Sequence, residues 1–443
     1  MNAKSSIQNI YQLDGKVPIG KAIPFGLQHI LAMFVANIAP IFIVSGAAGL
    51  STAQTTNLVQ CAMLIAGIGT LIQLFPLWRV GSGLPIVMGI SFTFVTILCT
   101  VASTYGYGTA VGAILVGGCV EGLLGLFAKY WRKIVSPIVA ASVVTAIGFS
   151  LLSVGANSFG GGQGAEDFGS WQNLTLGSIT LVSCIVFNIF AKSYFKQLSV
   201  LFGLIVGYIA ACCMGQVDFS ALAGNSIVSL PHILPFTPEF QIGPIITVTL
   251  IFLVSATETI GDTSALAMSG LGRDVSDKEI SGSLACDGFI SVISGLFGCL
   301  PITSFSQNVG LVAMTKVVNR FAIATGACIM ILAGFFPYVG AVLNTLPDAV
   351  LGGCTIMMFG NIILSGLEMI SRCGFTQRNI TIAALSLSIG LGFTQVPEIF
   401  HIFPAIIQDI FAANCVATVF LVAIIMNLVM PKEVSGKEDK TGL

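Results

Sequence analysis

Three carboxyl groups and a pair of carboxamides stand within apolar stretches of this sequence. Glu258 and Asp262 are four residues apart in VSATETIGDTSAL, so a helix would place both on one face. Asp287 follows in SLACDGFISVISG, and Gln307 and Asn308 stand side by side in SFSQNVGLVAMTK. Carboxylates accept hydrogen bonds, whereas a carboxamide can donate and accept at once. Together these groups could bind a small, flat ligand whose edge presents both donors and acceptors.

The surrounding composition is that of a membrane protein. Hydrophobic residues make up 55% of the 443 residues and charged residues only 8%, whereas a soluble domain carries about 25% charged residues. Apolar stretches of about 20 residues, the length that crosses a bilayer, recur along the chain. The chain is therefore expected to be a polytopic all-α protein whose main partner is the lipid bilayer. A net charge of −1 predicts no nucleic-acid partner.

Each acid within an apolar stretch needs a physical reason, because a charge at the bilayer centre costs about 2.5–3.5 kcal/mol on insertion scales. No lysine or arginine lies in the stretches that hold Glu258, Asp262 and Asp287. One interpretation is a substrate-binding carboxylate beside a proton or sodium site. The alternative is a set of buried carboxyl groups that bond only to the neighbouring protein.

The basic residues predict the number of membrane spans. All eighteen form eight clusters along the chain: Lys4/Lys16/Lys21, Arg79, Lys129/Arg132/Lys133, Lys192/Lys196, Arg273/Lys278, Lys316/Arg320, Arg372/Arg378 and Lys432/Lys437/Lys440. Because lysine and arginine concentrate in cytoplasmic loops, every cluster is placed inside. Each of the seven intervals must leave and return, which predicts fourteen spans with both termini cytoplasmic. The expected location is the plasma (inner) membrane.

The turns predicted outside support this topology, because they hold acids and no base: Glu166, Asp167, Asp218, Glu239, Asp348, Glu398 and Asp409. One interval is unusually short. About 37 residues separate Lys278 from Lys316, which is tight for two spans of about 20 residues each. Part of this interval is therefore not expected to form a full-length helix.

Fourteen spans divide into two sets of seven, and an odd number inverts the second set in the membrane, as in many secondary transporters. A short internal similarity supports such a repeat. LPIVMGISF at 84–92, in span 3, aligns without gaps with LPITSFSQN at 300–308, in span 10. Each stretch begins Leu-Pro-Ile, and proline disfavours a continuous helix.

We interpret both stretches as short extended segments that lead into half-helices. Interrupted segments at matching positions of two repeats are a sequence indication of a transporter's binding site. The alternative is a pair of ordinary helices with proline kinks.

Other residues indicate little chemistry. The twelve cysteines form no CxxC pattern, so reduced packing residues are expected. Three histidines without ligand spacing predict no metal site, and the absence of hydrolase and nucleotide-binding motifs predicts no catalytic residues. His29, near the inner end of the first span, could bond to another helix or take part in proton transfer. Glu368, four residues before Arg372, is expected to pair with it.

The stretch SQNVGLVAMTK, 306–316, resembles the signature of the nucleobase–ascorbate transporter family. That signature has Gln, Glu or Pro before Asn-x-Gly, and Gln307, Asn308, Gly310, Thr315 and Lys316 fit it. GLQH near the start, GISF in span 3 and ETIGD in span 8 are also similar to that family. The signature glutamine resembles that of bacterial xanthine and uric acid permeases, whereas glutamate accompanies uracil carriers.

The resemblance implies two inverted repeats of seven spans, with short antiparallel strands in spans 3 and 10. It implies a core domain at 21–133 and 240–336 and a gate domain at 134–215 and 345–430, through which the protein would form a homodimer. Residues 1–20 and 431–443 would be the cytoplasmic N-terminus and tail.

The resemblance also implies roles for individual residues. Glu258 and Gln307 would bind the purine ring, Phe92 would pack against it, and Ser91 and Ser306 would complete the pocket. A supporting and proton-coupling set would consist of Asp262, Asp287, Asn308 and His29, with Asn308 holding the broken segment in place.

The implied activity is proton-coupled symport of a purine dione or trione, with the core moving against the gate. No cofactor is expected, and a co-transported proton is favoured over sodium. The alternatives are a uracil or other nucleobase symporter, an anion carrier of the same architecture, a channel and a membrane enzyme. An anion carrier would favour a basic residue at the site, and neither interrupted span supplies one before Lys316.

Overall fold

A computed structural model describes residues 7–128, 136–162, 164–192, 194–222, 228–404, 407–408, 411 and 414–431. The described part of the first half contains one strand and seven helices of eleven residues or more: α1 (Ile19–Ala47), α2 (Thr52–Leu74), β1 (Met88–Ile90), α3 (Val95–Tyr105), α4 (Tyr107–Leu126), α5 (Pro137–Phe159), α6 (Trp171–Phe190) and α7 (Ser199–Cys213). A 3₁₀ turn, Phe92–Phe94, links β1 to α3.

The second half repeats this order with one helix in two pieces: α8 (Ile242–Leu271), α9 (Asp277–Leu296), β2 (Ile302–Ser304), α10 (Ser306–Thr315), α11 (Arg320–Gly334), α12 (Pro337–Asn344), α13 (Asp348–Arg372), α14 (Gln377–Thr394) and α15 (Cys415–Val429). α11 and α12 meet at a bend of 79°. The interval between Lys278 and Lys316 thus holds one full helix, a strand and a ten-residue helix, which confirms that it lacks a second full-length helix.

Within the described residues, seven helices are long and apolar enough to cross a membrane, or eight if the bent pair α11–α12 is one span. This number is lower than the predicted fourteen because several segments are short or polar. α3, α7, α10 and α15 have 10–15 residues, and α9 carries hydroxyl groups and Asp287 in a twenty-residue helix.

Two helices at corresponding positions in the halves begin in the same way. Ser51 precedes α2, and its hydroxyl accepts from the N–H of Gln54, whose side chain accepts from the N–H of Ser51. Ser276 and Glu279 form the same capping box at the start of α9. Such a reciprocal pair satisfies two backbone donors that a helix start leaves free, so both local sequences specify where the helix begins.

The helix contacts of the first half have counterparts in the second. α1 packs on α11 and α8 on α4, while α2 packs on α11 and α9 on α4. β1 lies on α2 as β2 lies on α9, and α6–α7 corresponds to α14–α15. Gly122 and Gly288 let α4 and α9 approach closely. A Cβ at Gly288 would collide with the backbone of Gly122, and a Cβ at Gly122 would collide with the ring of Phe289.

Several predicted features have a clear outcome. All twelve cysteines are free thiols, and Glu368 pairs with Arg372 at 2.6 Å. The basic cluster at 129–133, Lys4, Asp409 and nearly all of the proposed tail, 432–443, lie outside the described residues.

Candidate functional site

The two strands form a small antiparallel sheet inside the helical bundle. Met88 pairs with Ser304, Gly89 with Thr303 and Ile90 with Ile302. The ungapped alignment of 84–92 with 300–308 also places Met88 over Ser304, so these two aligned residues lie opposite each other at one end of the ladder. This pairing is compatible with a twofold relation between the segments. The interrupted segments are therefore extended at this point rather than kinked helices.

Side chains from the helices behind the sheet bind its backbone. The N–H of Met88 donates to Oγ1 of Thr70 on α2 at 3.0 Å, and the N–H of Ser304 donates to Oδ2 of Asp287 on α9 at 3.1 Å. Asn37 on α1 accepts from the N–H of Ile90 at 2.8 Å. These bonds satisfy buried strand donors that a two-stranded sheet leaves unpaired, and they fix the strands relative to three helices.

Asp287 is fully buried and accepts four hydrogen bonds. Besides the Ser304 N–H, the hydroxyl groups of Thr259 and Thr303 donate to Oδ2 at 2.6 and 2.8 Å, and Nε2 of Gln73 donates to Oδ1 at 3.1 Å. Its partners come from α2, α8 and β2. Asp287 is thus an interior acceptor that joins three elements behind the strands.

Asp262 is bound to the C-terminal residue of β2 and to the first residue of α10. The hydroxyl groups of Ser304 and Ser306 donate to its Oδ2 at 3.0 and 2.9 Å. Asp262 is 9% exposed and does not line the cavity described below. Its position connects α8 to the start of α10, one residue before Gln307.

Glu258, one helical turn before Asp262, lines the cavity described below. Its Oε2 accepts from the hydroxyl of Thr93 at 2.8 Å, and the residue is partly exposed. Thr93 lies in the 3₁₀ turn after β1 and is bonded through its N–H to Oγ of Ser91. The carboxyl of Glu258 is therefore held by the first half of the chain although it belongs to the second.

A cavity of about 350 Å³ lies in front of the two strands. This volume is within the range of about 300–1,000 Å³ typical of small-molecule sites. Its walls combine strand ends and half-helix starts with residues of α5, α6 and α13. The lining consists of Ile90, Ser91, Phe92, Thr93, Val144, Ile147, Asn188, Gln197, Glu258, Thr303, Ser304, Phe305, Ser306, Gln307, Gly310, Asn361, Ile362, Leu364, Ser365 and Glu368.

All five residues predicted to contact the ligand line this cavity: Ser91, Phe92, Glu258, Ser306 and Gln307. The ring of Phe92 is packed edge-on against that of Phe359, with centroids 5.4 Å apart, which fixes one apolar wall. The carboxamide of Gln307 makes no hydrogen bond within the part of the chain that the structure describes, so its donor and acceptor remain available to a ligand.

The four residues predicted to support the site lie behind the cavity rather than on its surface. Asp262 and Asp287 bind the strand and half-helix as described. Asn308 is 1% exposed, and among the described residues neither its Oδ1 nor its Nδ2 has a partner. The expected hydrogen-bonding role of Asn308 in holding the broken segment is therefore absent here, because the aspartates make those bonds instead.

His29 is 1% exposed on α1 and does not line the cavity. Its Nδ1 has no hydrogen-bond partner among the described residues. The structure thus gives this nitrogen neither the helix-to-helix bond nor a direct contact with the cavity.

Several lining residues were not identified from the sequence. Thr93 holds Glu258, and Asn188 and Asn361 bring two more carboxamides to the cavity. Thr93 adjoins the predicted Phe92, so its position was a usable signal. Asn188 and Asn361 lie far from either interrupted segment, and only the packing of α6 and α13 brings them here.

The chemistry of the lining is hydrogen bonding around an apolar wall. The described residues contain no group of three histidine, cysteine or acidic side chains placed to hold a metal ion. The lining has two carboxylates, several hydroxyl groups and four carboxamides, and it includes no lysine or arginine among the described residues. A flat polar heterocycle could satisfy these groups better than a small inorganic anion.

Comparison with known proteins gives an independent result. A family model described as Permease family (Xan_ur_permease) matches residues 20–399. Xanthine permease XanQ of Escherichia coli (strain K12) is 34% identical over 438 residues, covering 95% of this chain and 94% of that protein. Uric acid permease PucK of Bacillus subtilis (strain 168) is 37% identical over 378 residues, covering 85% and 87%.

Two solved structures have a similar fold. The transmembrane domain of a cyanobacterium bicarbonate transporter, BicA, matches with a TM-score of 0.58 at 16% identity, covering 82% of this chain and 95% of that chain. Murine Slc26a9, an anion transporter in the inward-facing state, matches with a TM-score of 0.62 at 12% identity, covering 95% and 70%. At such identities the likeness concerns the fold alone.

Proposed function

We propose a specific transport function from one premise: the chain belongs to the Permease family (Xan_ur_permease), a family of carriers rather than enzymes. The resemblance to nucleobase–ascorbate transporters is therefore correct. Within this family, we infer that the protein is a symporter for a purine dione or trione, namely xanthine, uric acid or both. The co-transported ion is proposed to be a proton.

One observation carries the proposal: Glu258 and Gln307, which are distant in sequence, line one cavity. A purine dione has ring N–H donors and carbonyl acceptors along its edge. The carboxyl of Glu258 can accept from the N–H groups, while the carboxamide of Gln307 can donate to a carbonyl and accept from an N–H. Phe92 offers an aromatic surface for the flat ring.

The proposed topology is fourteen spans in two inverted repeats of seven. Its support is the paired order of the elements, the counterpart helix contacts, the matching capping boxes and the pairing of Met88 with Ser304. The core domain would contain α1–α4 and α8–α12, and the gate domain would contain α5–α7 and α13–α15. Homodimer formation through the gate domain is proposed from the family resemblance alone.

Alternating access would follow from movement of the core against the gate. The cavity has walls from both sets of helices, so their relative displacement would open or close it. Its lining includes Gln197 and Glu368, next to Lys196 and Arg372 in two of the basic clusters. With those clusters cytoplasmic, the cavity is proposed to open inward in this structure.

Proton coupling is proposed for the carboxyl set formed by Glu258, Asp262 and Asp287. The hydrogen-bonded side chains around these acids are hydroxyls and one carboxamide, and no lysine or arginine is among them in the described part of the chain. A carboxyl group without a basic partner can take up a proton when substrate binds and release it afterwards. The ligand-contacting Glu258 is the group best placed to link the two events.

An anion carrier is the second candidate because the two solved neighbours are transporters of bicarbonate and of anions by their names. The lining argues against this function, since a carboxylate faces the cavity and no basic side chain among the described residues offsets it. Bicarbonate offers this carboxylate a single O–H donor, whereas a purine dione or trione offers several ring N–H groups, so the lining suits a purine better.

Uptake of radiolabelled xanthine by cells that express the protein, with a panel of unlabelled purines, uracil and bicarbonate as competitors, tests the function. Xanthine and uric acid should compete, whereas uracil and bicarbonate should not. Glu258→Ala should remove xanthine binding to the purified protein, and Gln307→Glu should alter purine selectivity. Retained binding by the first variant and unchanged selectivity of the second, at normal expression, would overturn the assigned site.

A further inference from the structure

Two cavity-lining carboxamides lie away from the interrupted segments. Asn188 on α6 and Asn361 on α13 both line it, and neither side chain hydrogen-bonds within the described part of the chain. We call these two residues the amide pair. α6 packs on α13, so the pair belongs to one block of helices, apart from the strands and α8.

Three other carboxamides of the bundle serve the protein itself. Nδ2 of Asn319 donates to three backbone carbonyls at 2.7–3.2 Å, and Nε2 of Gln73 donates to Asp287 and Ser283. Asn37 accepts from a strand N–H. Asn188 is partly exposed and Asn361 is exposed, so the amide groups of the pair are open to a ligand rather than committed to the protein.

A second, smaller cavity lies beside the amide pair. A space of about 80 Å³ adjoins the main cavity and is lined in part by the same four carboxamides: Asn188, Gln197, Gln307 and Asn361. A ligand held by Glu258 and Gln307 therefore has the amide pair on the cavity wall that α6 and α13 contribute.

This inference rests on the proposed function and names its substrate. We propose that the amide pair binds the imidazole side of the purine and selects uric acid over xanthine. The six-membered ring would bind Glu258 and Gln307. The five-membered ring of uric acid presents a C8 carbonyl between two N–H groups, whereas xanthine has a C–H at C8.

The carboxamide chemistry fits that difference. A side-chain NH₂ can donate to the C8 carbonyl, and a side-chain carbonyl can accept from an adjacent N–H. With xanthine, the C8 position provides no acceptor, and a donor of the pair remains unused. A site with polar groups that go unpaired discriminates against the ligand that lacks their partner.

Substitution of each amide by leucine tests the assignment, because leucine has nearly the same shape and no polar atoms. Cells expressing wild type, Asn188→Leu or Asn361→Leu are assayed for uptake of labelled xanthine and labelled uric acid under the same conditions. Wild type should favour uric acid. Each variant should lose about two- to tenfold of that preference, the worth of one hydrogen bond, while xanthine uptake persists.

Gln377→Leu is the matched control, since Gln377 is an exposed carboxamide at the start of α14 and outside both cavities. Its preference should equal that of wild type. An unchanged uric acid to xanthine ratio in both amide variants, or an equal loss of both substrates, would overturn the inference. Wild type that transports neither purine would instead overturn the proposed function itself, before any variant is considered.

Discussion

Removal of the Asp287 carboxyl should destabilise the protein by a calculable amount. Asp287→Ala deletes the acceptor of four hydrogen bonds, worth about 0.5–1.5 kcal/mol each. The hydroxyl groups of Thr259 and Thr303 can still bond to each other, and Gln73 keeps its bonds to Ser283. The strand N–H that donates to Asp287 cannot turn, and leaving it unpaired costs about 1–3 kcal/mol more.

The four bonds, about 2–6 kcal/mol, and the unpaired N–H, about 1–3 kcal/mol, give an expected loss of roughly 3–9 kcal/mol, against a total stability of about 5–15 kcal/mol for folded proteins. Asp287→Asn should lose less. Its oxygen can keep the three donors at the Oδ2 position, while its NH₂ faces the NH₂ of Gln73, a conflict of about 1–3 kcal/mol. The two substitutions should thus rank clearly.

Thermal unfolding of the detergent-solubilised protein measures this ranking, with the monodisperse fraction on size exclusion after heating as readout. Asp287→Ala should unfold at the lowest temperature, Asp287→Asn at an intermediate one. Asp274→Ala, at an exposed turn between α8 and α9, should match wild type. If Asp287→Ala unfolded at the wild-type temperature, the carboxyl would not support the sheet and the reasoning would fail.

Three further predictions follow from the site. Gly89→Ala should prevent purine uptake or folding, because its Cβ would lie 2.8 Å from the Phe305 ring; uptake at the wild-type rate would contradict this packing. Thr93→Val should weaken xanthine binding about two- to tenfold, since Glu258 loses the hydroxyl that orients it; equilibrium binding to purified protein measures the change, and unchanged affinity would remove Thr93 from the site. Dissipation of the proton gradient should stop xanthine accumulation, whereas continued uptake that requires sodium would establish the other coupling ion.

The sequence predicted the chemistry of the site better than its shape. Glu258 and Gln307 stood out because polar side chains are costly in lipid, and that cost is a property of single residues. The interrupted segments were predicted from proline and from an unusually short interval. Polar residues in apolar stretches and prolines in short intervals are local features, so a single sequence is enough to identify them.

Contacts that cross the chain were not predictable in the same way. The bond between Thr93 and Glu258 joins residues from opposite halves, and the amide pair reaches the cavity only through helix packing. The polarity of Asn308 does not show which groups it contacts, and in the structure neither of its amide atoms has a hydrogen-bond partner among the described residues. Hydropathy and length indicate fewer spans than the charge clusters predict, because α3, α7, α10 and α15 are short and α9 carries polar groups.

The pairing of Met88 with Ser304 in the small sheet has an evolutionary consequence. A chain descended from a duplicated half would begin with two equivalent pockets, one on each side of the symmetry axis. Met88 and Ser304 occupy equivalent places, yet the first is held by a threonine hydroxyl and the second by a carboxylate. The acids that bind β2 or line the cavity in front of it all belong to the second half, so each polypeptide should hold a single ligand. A stoichiometry of two purines per chain at saturation would contradict this history.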